Sequence, residues 1–224
     1  MQDLWLSLMQ WIGALPAHAG AAAAGWDLPG LLALAAALGW ASGLRLYAVV
    51  FLVGLAGATG WVTLPEGLSV VQHPTVLVVS GCLLLVEFLA DKIPWFDSLW
   101  DGIHAFIRVP AGAMLAASVF GMNDATMAVV AGLLGGSLSA TALATKMTTR
   151  AAANLSPEPF SNWGLSFFED SIVVAALWLA VQHPLWFALA LCVALAISVL
   201  LLVLLFRFLR AVLRRLFPAS VKAA

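Results

Sequence analysis

Residues 184–206 read PLWFALALCVALAISVLLLVLLF, a run of 23 residues without a charged side chain. An α-helix of about 20 apolar residues crosses the roughly 30 Å hydrocarbon core of a bilayer, so this run is long enough to span a membrane. Pro184 suits the first turn of such a helix, where its missing N–H group costs nothing. The basic segment at 207–215 follows directly and predicts a cytoplasmic C-terminus by the positive-inside rule.

The composition of the whole chain leads to the same class of protein. Hydrophobic residues make up 63% of the 224 residues, charged residues make up 9%, and the mean hydropathy is +1.04. Soluble domains carry about 25% charged residues. The formal net charge of -1 gives no reason to expect nucleic acid as a partner. The sequence therefore predicts a protein whose main partner is the lipid bilayer, and it leaves a homo-oligomer open.

Five further runs have the length of membrane helices, at 28–58, 75–93, 98–120, 125–150 and 163–181. Together with the last run they predict an all-α fold, a polytopic transmembrane helical bundle of about six spanning helices. The run at 28–58 is too long for one untilted span and contains GWASG at 39–43, which predicts a half-helix, a break and a full span.

Three regions follow from this pattern. Residues 1–27 contain an apolar stretch at 4–15 without the positive start of a signal peptide, which predicts a short amphipathic helix in the membrane interface. Residues 28–182 form a membrane domain that carries the charged motifs. Residues 183–224 form the last transmembrane helix and its basic cytoplasmic end.

One short motif occurs twice, VQHP at 71–74 and at 181–184, each time with a cysteine nine residues after the histidine. Three spans per half would make the two halves inverted with respect to each other, as in many transporters. The acidic residues do not follow this scheme, because Glu87 lies at the end of its predicted helix and Glu169 at the start of its own. An inverted repeat and its absence stay open as equal alternatives.

Ionisable residues interrupt the apolar runs in two stretches, EFLADKIPWFD at 87–97 and SPEPFSN at 156–162, which leads on to Glu169 and Asp170. A charge at the centre of a membrane helix costs about 2.5 to 3.5 kcal/mol, so we expect these residues to pair, line water or bind something. Counting spans back from the C-terminus places both stretches near the cytoplasmic ends of their helices. The sequence therefore predicts that the two stretches meet.

Glu87 and Asp91 are four residues apart and project from one face of a helix. Carboxylate oxygens of this kind suit a hard divalent cation, which would be a cofactor or cargo, or a shared proton. The alternative is internal pairing, in which basic residues neutralise the acids and hold helices together. The candidate metal ligands are Glu87, Asp91, Glu169 and Asp170. The candidate charge partners are Arg45, Lys92, Arg108, Lys146 and Arg150.

Further polar residues extend the candidate site. The segment 95–108 is amphipathic, and its polar stripe fits a metal ion or a phosphate as well as a helix lying along the cytoplasmic interface. The two prolines in SPEPFSN prevent a regular helix and predict a loop that folds back at membrane depth. The polar stripe of the segment 95–108 consists of Asp97, Asp101, His104 and Arg108. Asn162 at the end of the loop and Ser166 on the following helix add neutral oxygen atoms.

Three strings resemble the bacterial membrane-protein family catalogued as domain of unknown function 4126. They are EFLADKIP at 87–94, WDGIHAFIR at 100–108 and SPEPFSN at 156–162 together with Glu169 and Asp170. The resemblance covers about residues 30–182. It implies a polytopic protein of the bacterial inner (plasma) membrane and no particular activity.

Three functions from different classes remain open. The first is a membrane transporter or channel-like protein with an intramembrane acidic site for a divalent metal ion or a proton. The second is the binding or flipping of an anionic lipid or a polyprenyl phosphate by the basic residues. The third is a membrane enzyme or assembly factor with His104 beside Asp101 as acid and base. No nucleophile motif accompanies that pair, so a catalytic function is the least favoured.

Overall fold

The computed structural model describes residues 25–93, 96–121, 124–154 and 159–216, and the regular structure within those ranges is entirely helical. The all-α prediction is therefore confirmed for this part of the chain. The predicted interfacial helix at 4–15 and residues 156–158 of the predicted SPEPFSN loop lie outside the described residues. Residues 159–162 of that loop are the first turn of a helix instead, so the loop prediction is wrong for them, because Pro159 stands at the first helical position, where proline is tolerated. The helices are α1 Leu28–Ala58, η1 Glu66–Gln72 (a 3-10 helix), α2 Pro74–Ala90, α3 Phe96–Ser118, α4 Ala125–Ala153, α5 Pro159–Gln182 and α6 Pro184–Leu216.

Four of the described helices are long and apolar enough to cross a membrane, namely α1, α4, α5 and α6. The pair η1 and α2 is bent by 66° and adds a fifth span if it is counted as one. The prediction of about six spans is therefore not confirmed. The helix α3 is not among the candidates, because its first half carries Asp101 and Arg108 within an amphipathic pattern.

Short polar side chains begin several of these helices. The carboxylate of Asp27 accepts a hydrogen bond from the N–H group of Gly30 at 2.9 Å, and Asp124 caps α4 in the same way at Met127. The helix α2 begins at Pro74, one residue before the predicted run at 75–93, at a position where the missing N–H group of proline costs nothing. These caps satisfy backbone N–H groups that the first turn of a helix leaves without a partner.

The helix α1 is bent back on itself. A straight helix of 31 residues would be about 46 Å long, yet the indole Nε1 of Trp26 donates to the carbonyl of Thr63 at 2.7 Å. Residues 26–27 and 59–63 connect these two groups to the ends of α1, and seven residues span at most about 25 Å. The ends of a straight helix would be too far apart for this hydrogen bond, so α1 cannot be straight. The bend lies at Arg45, whose φ of −146° and ψ of 77° are not helical. Both ends of α1 therefore lie at the same end of the bundle.

The predicted break at 39–43 is wrong in position, and its glycines have another use. A Cβ atom on Gly39 would lie 2.5 Å from the Cα of Gly135, and one on Gly43 would lie 2.2 Å from the carbonyl oxygen of Ser139. Glycine here permits α1 to pack directly against the backbone of α4. The helix stays regular through this contact, and it breaks only where Arg45 meets the acidic residues.

The helix α1 is the most enclosed element and packs against α2, α3, α4 and α5. In the most apolar 18-residue stretch of α1, 56% of the residues are buried inside the bundle. In the most apolar 18-residue stretch of α6, the buried share is 6%. Exposed apolar side chains on α6 include Leu189 and Leu200. The helix α6 therefore lies at the edge of the bundle and presents an apolar surface, as expected of a helix in lipid.

Candidate functional site

The two ends of the bundle differ in their chemistry. The turns that follow α1, α3 and α5 meet at one end of the bundle, which we call the turn end. Gly67, after α1, lies against the backbone of Ser118 at the end of α3. Trp61, also after α1, and Gln182 at the end of α5 line the same cavity. At the opposite end α2 and α4 finish and α3 and α5 begin, and we call this the charged end. The structure thus brings the stretches at 87–97 and 162–170 to one end of the molecule. Which side of a membrane that end faces stays a prediction.

Arg45 lies at the bend of α1 and is completely buried. Its guanidinium forms an ion pair with Asp91, and its Nε lies 3.0 Å from Oδ1 of Asp170. Its Nη2 lies 3.6 Å from Oε2 of Glu169 and donates to the hydroxyl oxygen of Ser166 at 2.8 Å. One side chain thus connects α1 to the end of α2 and to the first half of α5.

Arg150 joins the ends of three helices. Its Nε and Nη2 donate to the two carboxylate oxygens of Glu169 at 3.2 and 3.0 Å, and Nη2 also donates to Oδ2 of Asp91 at 3.2 Å. Its Nη1 donates to the backbone carbonyls of Asp91 and Asn162. The side chain of Asn162 in turn donates to Oδ1 of Asn154 at 2.6 Å. Arg150 therefore fixes the end of α4 to the end of α2 and the start of α5.

Lys146 lies one turn before Arg150, and its Nζ is within 4.0 Å of four carboxylates. It also donates to the carbonyl of Leu44 at 3.2 Å, directly beside the break in α1. A helix break leaves backbone groups without partners, and an unpartnered polar group is costly when buried. The distances from Nζ are 3.1 Å to Asp101, 3.6 Å to Glu169, 3.7 Å to Asp91 and 4.0 Å to Glu87.

Arg108 forms the part of the site that lies against α3. Its Nη2 donates to Oε1 of Glu87 at 2.5 Å and its Nη1 donates to Oδ1 of Asp101 at 2.7 Å. The backbone carbonyl of Arg108 accepts from the hydroxyl of Ser139 at 3.1 Å. Since Asp101 and Arg108 are both buried, the polar stripe of α3 faces the bundle at these two positions. The interfacial-surface interpretation does not hold for them.

Five carboxylates and four basic groups thus form one network in the described part of the chain, which we call the ion-pair cluster. All of these side chains are buried except that of Asp170, which is 28% exposed. Among the buried side-chain atoms of the cluster, three carboxylate oxygens and three guanidinium nitrogens have no hydrogen-bond partner in the described part of the chain, namely Oε2 of Glu87, Oδ1 of Asp91, Oδ2 of Asp101, Nε and Nη1 of Arg45, and Nε of Arg108. The members are Glu87, Asp91, Asp101, Glu169, Asp170, Arg45, Arg108, Lys146 and Arg150.

The other predicted site residues lie beside the cluster. The ammonium group of Lys92 is 2.8 Å from the ring centroid of Phe88, and burial lowers its pKa below the ordinary value. His104 stacks on Trp100 with 4.0 Å between ring centroids, and its Nδ1 is hydrogen-bonded to the Trp100 carbonyl. The side chain of Asp97 lies outside the described residues. Within the described ranges no group of three or more His, Cys, Asp or Glu residues is arranged to hold a metal ion.

A cavity of about 800 Å³ lies between the two arms of α1 and the second half of α5. It extends from the turn end, where Trp61 and Gln182 line it, to Asp170 in the middle of α5. Its wall is mostly apolar, and Asp170 is the one charged residue among the described residues that line it. Because Asp170 pairs with Arg45, the cavity ends at the ion-pair cluster.

The sequence alone does not predict this cavity, because the cavity forms only where α1 bends back on itself at Arg45. Leu34 and Leu52 line the same space only because the helix is bent between them. Apolar residues at these positions look like ordinary lipid-facing or core residues in the sequence. The one available signal was a tryptophan near the turn end of each wall, Trp61 and Trp178.

A family model described as Domain of unknown function (DUF4126) matches residues 32–207, and the chain belongs to this family. The matched range contains every member of the ion-pair cluster and every described residue that lines the cavity. No curated protein and no solved structure matches the chain.

Proposed function

We propose that this protein is a membrane transporter or channel-like protein in which the ion-pair cluster takes up and releases a proton. The observation that carries the proposal is the composition of the cluster, five carboxylates against four basic groups in a buried setting. An uncompensated charge in such surroundings costs several kcal/mol. One bound proton balances these nine groups; the charge of Lys92 also acts on Asp170 and Asp91, but this side chain is only partly buried, forms no described ion pair within 4.0 Å and is screened by its exposure.

Glu87 is the carboxylate that we assign to this proton. Asp91 has three basic groups within 4.0 Å, whereas Glu87 has Arg108, which is shared with Asp101, and Lys146 only at 4.0 Å. The second oxygen of Glu87 has no hydrogen-bond partner among the described residues, although the side chain is completely buried. A protonated carboxyl at this position keeps its contact with Arg108 and removes the excess charge.

A proton fits the cluster better than a divalent metal ion does. Ca²⁺ and Mg²⁺ require about six or more oxygen ligands, and the carboxylate oxygens here already face guanidinium and ammonium groups. A divalent ion would add two positive charges within a few ångströms of Lys146 and Arg150. The displacement of those buried groups would leave them without partners.

The lipid-phosphate alternative has less support for a related reason. Its candidate phosphate partners are buried, and each of them contacts at least one carboxylate. A phosphate would have to replace carboxylates and bring its own negative charge into the cluster. The enzyme alternative has less support because His104 is engaged with Trp100 and does not contact Asp101 through any described hydrogen bond.

Arg45 connects proton binding to a change of shape. It lies at the break of α1, and it contacts both the buried Asp91 and the partly exposed Asp170. A change in the charge of the cluster alters the balance between these contacts and therefore the angle between the two arms of α1. A proton that binds one arrangement better than the other shifts the population towards it.

The proposal can be tested in proteoliposomes that contain a pH-sensitive dye. We expect an imposed membrane potential to drive acidification of the interior faster in vesicles with the wild-type protein than in empty vesicles. The Glu87→Gln variant should lose this excess, whereas Glu66→Gln, which changes an exposed carboxylate in η1, should keep it. Acidification no faster than in empty vesicles, or equally fast in Glu87→Gln, would contradict the proposal.

A further inference from the structure

We infer that the cavity between α1 and α5 binds an amphipathic organic cation, an apolar molecule with one positively charged group, and that Asp170 is its counter-ion. The inference rests on the proposed transport function, because it names the class of solute that such a transporter would carry. It depends on the shape of the cavity, on the few polar groups in its wall and on the position of Asp170.

The size and the lining of the cavity suit a small organic molecule. Ligand sites have volumes of about 300 to 1,000 Å³ and mostly apolar walls with a few polar groups. The cavity of about 800 Å³ falls in this range. Its apolar lining includes Leu52 and Val53 on α1 and Val174 and Leu177 on α5. Water molecules form few hydrogen bonds with such apolar walls. An apolar solute, in contrast, is stabilised by about 25 cal/mol for each Å² of apolar surface that it buries.

The two hydroxyl groups of the wall are already used by the protein. The hydroxyl of Thr59 donates to the carbonyl of Leu55 at 2.8 Å, and the hydroxyl of Ser171 donates to the carbonyl of Phe167 at 2.7 Å. Asp170 differs from them because its side chain is 28% exposed. Arg45, the partner of Asp170, is fully buried and does not line the cavity, so the one charged group that the described wall presents to a solute is a carboxylate, which favours a cation.

Two tryptophans add a second feature that suits a cation. Trp61 and Trp178 line the cavity nearer to the turn end, and both remain well exposed. The face of an indole ring attracts cations, with about 0.5 to 2 kcal/mol for each contact. A cation that enters from the turn end thus passes the two indole rings before it reaches the Asp170 carboxylate at the inner end.

The bound cation would compete with Arg45. Nε of Arg45 is 3.0 Å from Oδ1 of Asp170, so a second positive charge at this carboxylate weakens the contact. Arg45 then interacts more strongly with Asp91 and Glu169, its other acidic partners. Occupation of the cavity is in this way linked to the charge of the cluster and to the bend in α1.

The experiment compares two ions of the same shape and opposite charge, tetraphenylphosphonium and tetraphenylborate, by equilibrium dialysis against the protein in a nonionic detergent. We expect tetraphenylphosphonium to bind at least about tenfold more tightly than tetraphenylborate. Asp170→Asn should weaken the binding of tetraphenylphosphonium by about tenfold or more. Equal binding of the two ions would overturn the inference and point to a general apolar pocket, such as one for a lipid chain.

A second variant guards against a folding defect in Asp170→Asn. Val174→Trp fills the cavity and leaves the ion-pair cluster unchanged, so we expect it to abolish binding of tetraphenylphosphonium. Leu85→Trp is the matched control, because Leu85 is an exposed residue of α2 outside the cavity. Unchanged binding in Val174→Trp would overturn the inference.

The binding experiment and the transport experiment test the two proposals independently, so either proposal can be contradicted while the other stands. Dialysis needs neither a proton gradient nor a vesicle. If tetraphenylphosphonium binds as expected and Glu87→Gln acidifies as fast as the wild type, the proton proposal is wrong and the cation site stands. If the acidification depends on Glu87 and both tetraphenyl ions bind equally, the proton proposal stands and the cation site is wrong.

Discussion

Arg45 and Asp170 form an ion pair, with 3.0 Å between Nε and Oδ1, that joins the ion-pair cluster to the cavity. The two residues differ in their surroundings, since the side chain of Arg45 is fully buried and that of Asp170 is 28% exposed. The pair also lies at the break of α1. A contact in this position can transmit a change in the cavity to the helix that carries most of the core.

The first prediction concerns the removal of Arg45. Arg45→Ala leaves Asp91 and Glu169 with fewer positive neighbours in a buried setting, and a broken buried pair costs about 3 to 5 kcal/mol. We therefore expect a large fall in the midpoint of thermal unfolding in detergent. Arg207→Ala, on the exposed part of α6, is the control and should unfold like the wild type. A midpoint for Arg45→Ala equal to that of the control would show that the cluster does not hold α1 in place.

The second prediction concerns the coupling between Glu87 and Arg108. Arg108→Gln alone leaves the carboxylates of Glu87 and Asp101 with Lys146 as their one remaining described basic neighbour, so it should be strongly destabilising. Glu87→Gln in the same chain removes one of those charges. We expect the double variant to be more stable than Arg108→Gln by about 1 to 3 kcal/mol, the usual coupling between contacting residues.

Urea unfolding of the two single variants and the double variant measures this coupling. Arg108→Gln combined with Glu66→Gln provides the control, since Glu66 is exposed in η1 and is not a member of the cluster. Effects of Glu87→Gln and Arg108→Gln that simply add would contradict the direct pairing seen in the structure.

The helices could largely be predicted from the sequence, but the path of α1 could not. Long apolar runs and the prolines at positions 74 and 184 identify helices by local rules, and the structure begins α2 and α6 at these prolines. The bend at Arg45 follows from partners 46 and 121 residues further along the chain, Asp91 and Ser166, so no local pattern contains it. The segment at 39–43 with its two glycines predicted a break in the helix, and these glycines instead permit a close contact between α1 and α4.

The residues of the site could be predicted better than their arrangement. Charges are rare in apolar helices, and for that reason Glu87, Asp91, Lys146 and Arg150 could be selected from the sequence alone. Whether they bind an ion or each other depends on distances of about 3 Å, which composition and spacing do not determine. The cavity could not be predicted, because its walls consist of the same apolar residues that face lipid elsewhere.

The third prediction concerns divalent metal ions. The carboxylates of the cluster already contact basic groups, so we expect Mg²⁺, Ca²⁺ and Mn²⁺ to leave the thermal midpoint of the wild type unchanged. An ion present at 100 times its Kd would stabilise the fold by about 2.7 kcal/mol, which such a measurement detects. A midpoint that rises with one of these ions and no longer rises in Glu87→Gln would favour a metal site over the proton site.

The fourth prediction compares two glycines in helices. Gly43→Ala places a methyl group 2.2 Å from the backbone oxygen of Ser139 and 2.9 Å from the Cβ of Ala142, so α1 and α4 must separate. Gly102→Ala in α3 meets nothing within 4 Å and gains the helix propensity of alanine, worth about 0.5 to 1 kcal/mol. We expect the first variant to unfold at a lower temperature than the wild type and the second at an equal or higher temperature.

Because Leu44 and Arg45 directly follow Gly43, the first variant should also impair the proton-dependent acidification, whereas the second should leave it unchanged. If Gly43→Ala proved as stable as Gly102→Ala, the direct packing of α1 on α4 would be refuted, and with it the position assigned to Arg45.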